Sequence, residues 1–172
     1  LKNRRHAFGR ALRPTRSMVS WRNANRLVFR GIPTPEPLAF IEKRWGPLRR
    51  RAYFITRFVC GESIANVIEE NRDDHDKMTL CARSLLHLLK RLYQQRLSHG
   101  DLKADNLILR DGQLLLLDLD GMKTHCLFSS FQRAFRKDVN RLLANWQHNA
   151  AFSDLLSTQI REVFREREQS DK

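Results

Sequence analysis

The stretch HGDLKADNLILRDGQLLLLDLDG, residues 99–121, constrains this chain more than any other. Two apolar runs, NLIL and QLLLLDL, flank RDG, whose Asp111-Gly112 pair favours the left-handed backbone of a tight hairpin turn. A β-hairpin is expected, and closing it brings the ends of the stretch toward each other. Asp101 and Asn106, five residues apart ahead of the first strand, then face Asp118 at the end of the second.

The rest of the chain must support that hairpin. Residues 76–96, DKMTLCARSLLHLLKRLYQQR, put Met78, Cys81, Leu85, Leu88, Leu89 and Leu92 at helical spacing behind Asp76 as N-cap, which predicts the core helix. Residues 131–148 repeat Phe131, Phe135, Val139, Leu142 and Trp146 at spacings of three and four, and FSDLLSTQIREVFREREQ predicts a last helix. Near the start, residues 17–30 read as a short helix with Met18, Trp21, Asn25 and Phe29 near one face, stopped by Gly31. Pro33, Pro35 and Pro37 then exclude helix, and PLAFIEKR and RAYFITRFV predict two antiparallel strands around the turn-like RWGPLRR. ENRDDHD, residues 70–76, reads as a surface loop.

Charge is unevenly placed. The chain holds 32 Lys and Arg against 19 Asp and Glu, but residues 1–51 hold 14 against 2 and residues 52–172 hold 18 against 17. The basic block sets up a potential that favours phosphates, anionic lipid headgroups or nucleic acid, or it forms a solvated Arg-rich surface. Aromatic residues are not interleaved with the cations as stacking platforms, so no nucleic-acid partner is expected. Cys60, Cys81 and Cys126 fit neither a disulfide framework nor a zinc site, no run reaches the roughly 18 apolar residues of a membrane-spanning helix, and LKNRRHAFGR lacks a signal peptide's apolar stretch. A cytoplasmic protein, at most peripheral to a membrane, is expected.

Two carboxylates and an amide arranged as Asp101, Asn106 and Asp118 suit phosphoryl transfer. One carboxylate orients an attacking hydroxyl, while the other and the amide oxygen hold the Mg²⁺ ions that bridge a triphosphate. HGDLKADN and LLLLDLDG resemble the H-x-D-x-x-x-x-N loop and metal-Asp strand of the protein-kinase-like phosphotransferases, in the right order. GIPTPEPLAF, and LLDLDG in place of D-F-G, are most similar to the bacterial lipopolysaccharide kinase family, which phosphorylates heptose or 3-deoxy-octulosonic acid sugars of the inner core. The resemblance runs over about residues 15–146. It implies an α+β, protein-kinase-like fold: a mostly helical C-lobe with its catalytic hairpin over 61–172, and an incomplete, basic N-lobe of helix and strand pair over 1–60. It also implies ATP and Mg²⁺ as cofactors, a lipid-linked sugar or other small-molecule acceptor, and an anionic membrane surface as neighbour.

Residue by residue, the resemblance gives Asp101 as catalytic base and Lys103 as a point charge on the transferring phosphate. Asn106 and Asp118 would be the Mg²⁺ ligands, and Phe58 and Val59, in TRFVCG, would meet adenine through their main chain. His99 would brace the loop. Asp120 is either a further metal contact or a turn cap. Asp138 is either the buried helix carboxylate that anchors the catalytic loop or an exposed partner of Arg141 at i+3.

Gly100 stands where regulated protein kinases carry an Arg, and no A-P-E occurs between Asp118 and Asp138. The peptide-binding platform is therefore expected to be missing, which favours sugars or small molecules as acceptors. Aminoglycoside- or choline-type kinases share the H-G-D loop, but their cationic acceptors call for an acidic pocket. Neither a glycine-rich phosphate loop nor a strand Lys is visible, Asn23 or Asn25 occupies the place of the helix Glu, and Lys2 is a poor substitute for the strand Lys. Either the chain is an N-terminally shortened piece of a longer enzyme, or it is a pseudokinase-like remnant that acts by binding. Intact Asp101, Lys103, Asn106 and Asp118 favour the first.

Overall fold

The computed structural model describes residues 13–46 and 48–170; Lys2 lies outside them. Helix α1 spans Arg16–Phe29, capped by Thr15, whose hydroxyl accepts from Met18 N at 3.2 Å. It ends in a Schellman-type turn: Gly31 sits at φ +67°, its N–H donates to Val28 O and Ile32 N–H to Leu27 O, both at 2.9 Å. The buried face differs from the expected one. Asn23, Ala24 and Leu27 are buried, Met18 and Trp21 are half-buried, and Asn25 and Phe29 are exposed, Phe29 at 92%. Apolar spacing misled because the centre of the buried stripe is an amide.

Strands β1 (Pro37–Trp45) and β2 (Leu48–Thr56) form an antiparallel hairpin with Phe40 opposite Phe54 and Ile41 opposite Tyr53. One face rests on α1, where the rings of Trp21 and Phe54 meet edge-on at 6.1 Å and Ser17 donates to Ala52 O at 3.1 Å. An extended linker, 57–61, leads to β3 (Glu62–Ser63) and to α2 (Ile64–Glu70). Helix α2 has only seven residues, too short for its periodicity to stand out.

Helix α3, His75–Gln94, is the expected core helix, with the cap corrected: Asp74, not Asp76, accepts from Lys77 N at 3.0 Å. The chain continues through β4 (Leu97–Ser98), a 3₁₀ turn (Ala104–Asn106), β5 (Leu107–Arg110), β6 (Gln113–Leu116), a second 3₁₀ turn (Leu119–Gly121) and β7 (Lys123–Thr124). Helices α4 (Phe128–Ala144) and α5 (Ala150–Ser170) follow. Helix α4 thus begins three residues before the expected start and stops four before the expected end. The β5–β6 hairpin forms at Asp111-Gly112, both at positive φ, and β3 pairs with β5. Strand β4 pairs with β7, which places the loop after β4 beside the turn after β6.

One hydrophobic core runs through all of this. Leu85, Leu88, Leu89 and Leu92 of α3 pack with Leu107, Leu114 and Leu116 of the hairpin, Phe131 and Leu142 of α4, and Phe152 and Leu156 of α5, while α1 contributes Ala24 and Leu27. Burial of these side chains, at about 1.5–3 kcal/mol each for the large ones, supplies the main driving force for folding.

Candidate active site

The loop after β4 is held from three sides. His99 is fully buried, with Nε2 2.8 Å from Leu117 O and Nδ1 3.3 Å from Asp101 N. Those partners require the neutral ring with its proton on Nε2, which donates to the carbonyl while Nδ1 accepts from the amide. His99 therefore braces the loop. Gly100 sits at φ +85°, where a Cβ would stand 2.6 Å from Gly121 O. The backbone of the loop lies directly against the backbone of the turn after β6, so no side chain fits at 100.

Helix α4 anchors the same loop from below. Asp138, 3% exposed, accepts from His99 N at 2.6 Å and from Gly100 N at 3.0 Å. Of the two readings of this residue, the structure shows the buried anchor. Arg141 does not pair with it. Its guanidinium donates instead to Gly100 O at 2.5 Å and to Asp101 Oδ1 at 3.1 Å. Asn145 Oδ1 accepts from Ala104 N at 3.4 Å. Positions 138, 141 and 145 share one helical face, so a single stripe of α4 holds residues 99–104.

Asp101 lies between two cations: Arg141 on Oδ1, and Lys103, whose Nζ is 3.5 Å from Oδ2. Asn106 is 8% exposed and its Nδ2 donates to Asp101 O at 2.9 Å, which leaves Oδ1 as the free acceptor. Leu117 N donates to Asn106 O at 2.9 Å, while Leu117 O accepts from His99. The residue before Asp118 is thus bonded in both directions to the loop that carries Asp101 and Asn106, and the three residues are brought together as the hairpin implied.

Asp118 has φ +50° and ψ +64°, a left-handed conformation that Asp tolerates better than most residues but that still costs of order 1 kcal/mol. Its carboxylate makes no hydrogen bond or ion pair with another described residue. It opens on a cleft of about 710 Å³ between α1 and the β1–β2 hairpin, lined also by Arg16, Ser17, Ile41, Tyr53 and Asp120. Asp120 neither caps its turn nor stands free: its carboxylate is ion-paired with Arg16, and that pairing holds the guanidinium pKa above its ordinary value, Asp118 adding to the effect at longer range. Asn23 stitches α1 to this turn by donating to Leu119 O at 2.7 Å and Met122 O at 3.1 Å, whereas Asn25 only bonds back to Trp21 O.

Phe58 and Val59 lie on the linker beyond the cleft's lining, which ends at Ile55. The Phe58 side chain is 88% exposed, and the main-chain groups of both residues make no hydrogen bond with described residues. Sequence reasoning missed Arg16, Arg141 and the role of Asn23. The available signal for Arg141 was its i+3 spacing from Asp138, which puts both on the face of α4 that meets the loop.

Comparison with known proteins gives the family and the fold. A 3-deoxy-D-manno-octulosonic acid kinase of Xylella fastidiosa (strain M12) is 33% identical over 108 residues, a match covering 62% of this chain and 41% of that protein. A kinase of the same name from Mannheimia succiniciproducens is 26% identical over 165 residues, covering 89% of this chain and 66% of that protein. The chain therefore spans less than half the length of the Xylella relatives it matches. A solved structure, "WaaP in complex with acyl carrier protein", has the same fold over 87% of this chain and 66% of its own, with a TM-score of 0.64 at 13% identity. The model of the lipopolysaccharide kinase (Kdo/WaaP) family matches residues 2–163, nearly the whole sequence, and the chain belongs to that family.

Proposed function

We propose that this chain takes part in ATP- and Mg²⁺-dependent transfer of a phosphoryl group to a sugar hydroxyl of the lipopolysaccharide inner core. The observation that carries the reading is the double hydrogen bonding of Leu117, whose N–H donates to Asn106 O and whose carbonyl accepts from the His99 ring, which ties Asp118 to the loop of Asp101. In this reading residues 1–60 form a partial N-lobe and residues 61–172 the C-lobe. The kinase names of the relatives support a 3-deoxy-octulosonic acid or similar sugar as acceptor. A lipid-linked acceptor would place the protein on the cytoplasmic face of the inner membrane, and no helix among the described residues is long and apolar enough to cross one.

The donor set fits a magnesium–nucleotide. Among the described residues no group of three or more His, Cys, Asp or Glu side chains is arranged to hold a metal ion. Mg²⁺ does not require such a cage: it is usually held by one or two protein oxygens together with water and phosphate oxygens. Asp118, lining an open cleft and without an ion pair among the described residues, and Asn106, whose Oδ1 accepts no bond from them, supply two. When bound, the metal neutralises charge on the phosphates and lowers the barrier to transfer. Asp101 accepts the hydrogen bond of the acceptor hydroxyl and takes its proton. Arg141 and Lys103 keep that carboxylate in place, and Lys103, 41% exposed, can turn toward the phosphoryl oxygens. Phe58 and Val59 offer to the adenine edge main-chain groups that make no hydrogen bond with described residues.

The test is equilibrium binding of a non-hydrolysable ATP analogue with and without Mg²⁺, in the parent chain and in Asp118→Ala. The parent should show a Mg²⁺-dependent component that Asp118→Ala lacks; equal metal dependence in both rejects the role of Asp118. Phosphorylation of an inner-core acceptor by Asp101→Ala at the parental rate rejects Asp101 as base.

A further inference from the structure

Helix α3 lies against the β5–β6 hairpin and the linker 31–34, which borders β6 through Leu116 N–H on Pro33 O at 3.0 Å and Thr34 Oγ1 on Leu116 O at 2.8 Å. Two ties hold the helix there. Ser84 Oγ donates to Gly112 O at 3.0 Å in the hairpin turn, and Arg91 donates to Gly31 O at the start of the linker. At 1.5 Å per residue the two ties stand about 10 Å apart along the helix. Between them is a hollow of about 340 Å³, which shares no lining residue with the cleft of Asp118.

The lining is sorted by chemistry. Leu88 and Leu114, each 3% exposed, and Pro33 supply its apolar part, while Arg83, His87 and Arg91 supply donors. Spaced by four along α3, those three share one face and follow each other at about 6 Å. Gln113 adds an amide from β6, and no lining residue is acidic. Asp111, the acid next to the lining in sequence, pairs with Arg110 at 3.3 Å. Neither Arg83 nor His87 makes a hydrogen bond or ion pair with another described residue. Arg91 uses only Nη2, on Gly31 O and Arg30 O, which leaves Nε and Nη1 as donors. Cations on an ordinary solvated helix face stand in the open, whereas here the hairpin and the linker face them across an apolar hollow. Donors on three successive turns call for an acceptor with several charged oxygens, and the leucines call for an apolar group attached to it.

We infer that this hollow binds a phosphomonoester whose esterified group is apolar, with the phosphate on Arg83, His87 and Arg91 and the apolar group against Leu88, Leu114 and Pro33. A carboxylate offers two oxygens and one charge; a phosphate dianion offers three oxygens and serves more than one cation at once. The site stands apart from the proposed phosphoryl transfer, and its test uses neither nucleotide nor acceptor sugar, so either can fail without the other.

The experiment is isothermal titration calorimetry of the full 172-residue chain with phenyl phosphate, inorganic phosphate and benzoate as probes. Phenyl phosphate should saturate one site. Inorganic phosphate, which lacks the apolar group, and benzoate, which lacks the second charge, should each bind about tenfold more weakly. Arg83→Gln should weaken phenyl phosphate about tenfold through a lost charge-assisted contact, and Gln113→Glu, which sets a like charge at an exposed position of the lining, should do so by a similar factor. Arg50→Gln, which removes one charge from β2, should change the affinity by no more than about twofold. Unchanged thermal midpoints show that the variants fold. The inference is overturned if phenyl phosphate does not saturate by about 10 mM, if inorganic phosphate or benzoate binds as tightly, or if Arg83→Gln and Gln113→Glu bind like the parent. Binding that Arg16→Gln abolishes and Arg83→Gln leaves intact belongs to the cleft of Asp118 and also overturns it.

Discussion

Removing the carboxylate of Asp138 should unfold the site before it unfolds anything else, and the size of the effect can be worked from its partners. Asp138 is 3% exposed and accepts from two backbone amides, His99 N and Gly100 N. Ala at 138 would leave the His99 N–H buried without an acceptor, at about 1–3 kcal/mol, and would remove the acceptor of the Gly100 N–H, which lies on an exposed residue, at about 0.5–1.5 kcal/mol. A loss of roughly 1.5–4.5 kcal/mol follows, against a total of about 5–15 kcal/mol for a domain of ordinary stability. With a urea slope of about 2 kcal/mol/M, a loss of about 4 kcal/mol moves the midpoint down by about 2 M. Trp146, 2% exposed, provides a buried fluorophore to follow the transition. Asp138→Asn keeps one carbonyl acceptor but turns an NH₂ toward the other amide, so it should cost about half as much and should fold even if Asp138→Ala does not. A midpoint for Asp138→Ala within about 0.3 M of the parent would refute the reasoning, since it would mean that the two amides find acceptors elsewhere at little cost.

Gly100→Ala should lose about 1–2 kcal/mol from its left-handed backbone alone, and more from the contact with Gly121 O, whereas Gly121→Ala, whose Cβ would sit 3.1 Å from His99 O without a positive φ, should lose less; paired urea titrations check the order. Arg141→Gln should lower turnover with little change in nucleotide affinity, because it holds Asp101 rather than the cleft; a fall in nucleotide affinity with unchanged turnover contradicts this. Asp74 is held below the usual carboxylate range chiefly by the Lys77 N–H. Its contribution to stability is therefore complete above the ordinary carboxylate pKa and is lost as pH falls through the lower folded value. Asp74→Asn caps α3 without titrating, so it should flatten the acid side of the stability–pH curve while leaving neutral stability nearly unchanged; thermal midpoints measured from neutral to acid pH check the slope.

What could be read from sequence was what depends on neighbours in sequence. The leucine spacing of α3, the Asp-Gly turn of the β5–β6 hairpin and the order of Asp101, Asn106 and Asp118 are all local patterns, and the structure places them as they read. The fold class followed from the family resemblance that this order carries, and the solved relative has the same fold. What could not be read depends on contacts across long separations. Asn23 looks like any polar helix residue until its amide meets carbonyls nearly a hundred positions away. Asp138 was left open between two roles because its partners are backbone amides, which no side-chain pattern reveals. The face of α1 was misassigned for the same reason, and α2 was missed because seven residues carry too little periodicity. The basic stretches of the second part were hidden by averaging: the net charge of residues 52–172 is near zero although segments 77–100 and 121–137 contain no acid.

The two hydrogen bonds of Leu117 also decide which parts of the molecule can part company. With its N–H on Asn106 and its carbonyl on His99, and with the Gly100 and Gly121 backbones in contact, the floor of the cleft is riveted shut. Widening the mouth to admit a ligand therefore falls to the roof, the β1–β2 ribbon, which is fastened below by Ser17 and Trp21 and to the incoming chain by Arg57 N–H on Glu36 O. A molecule built this way breathes from one side only.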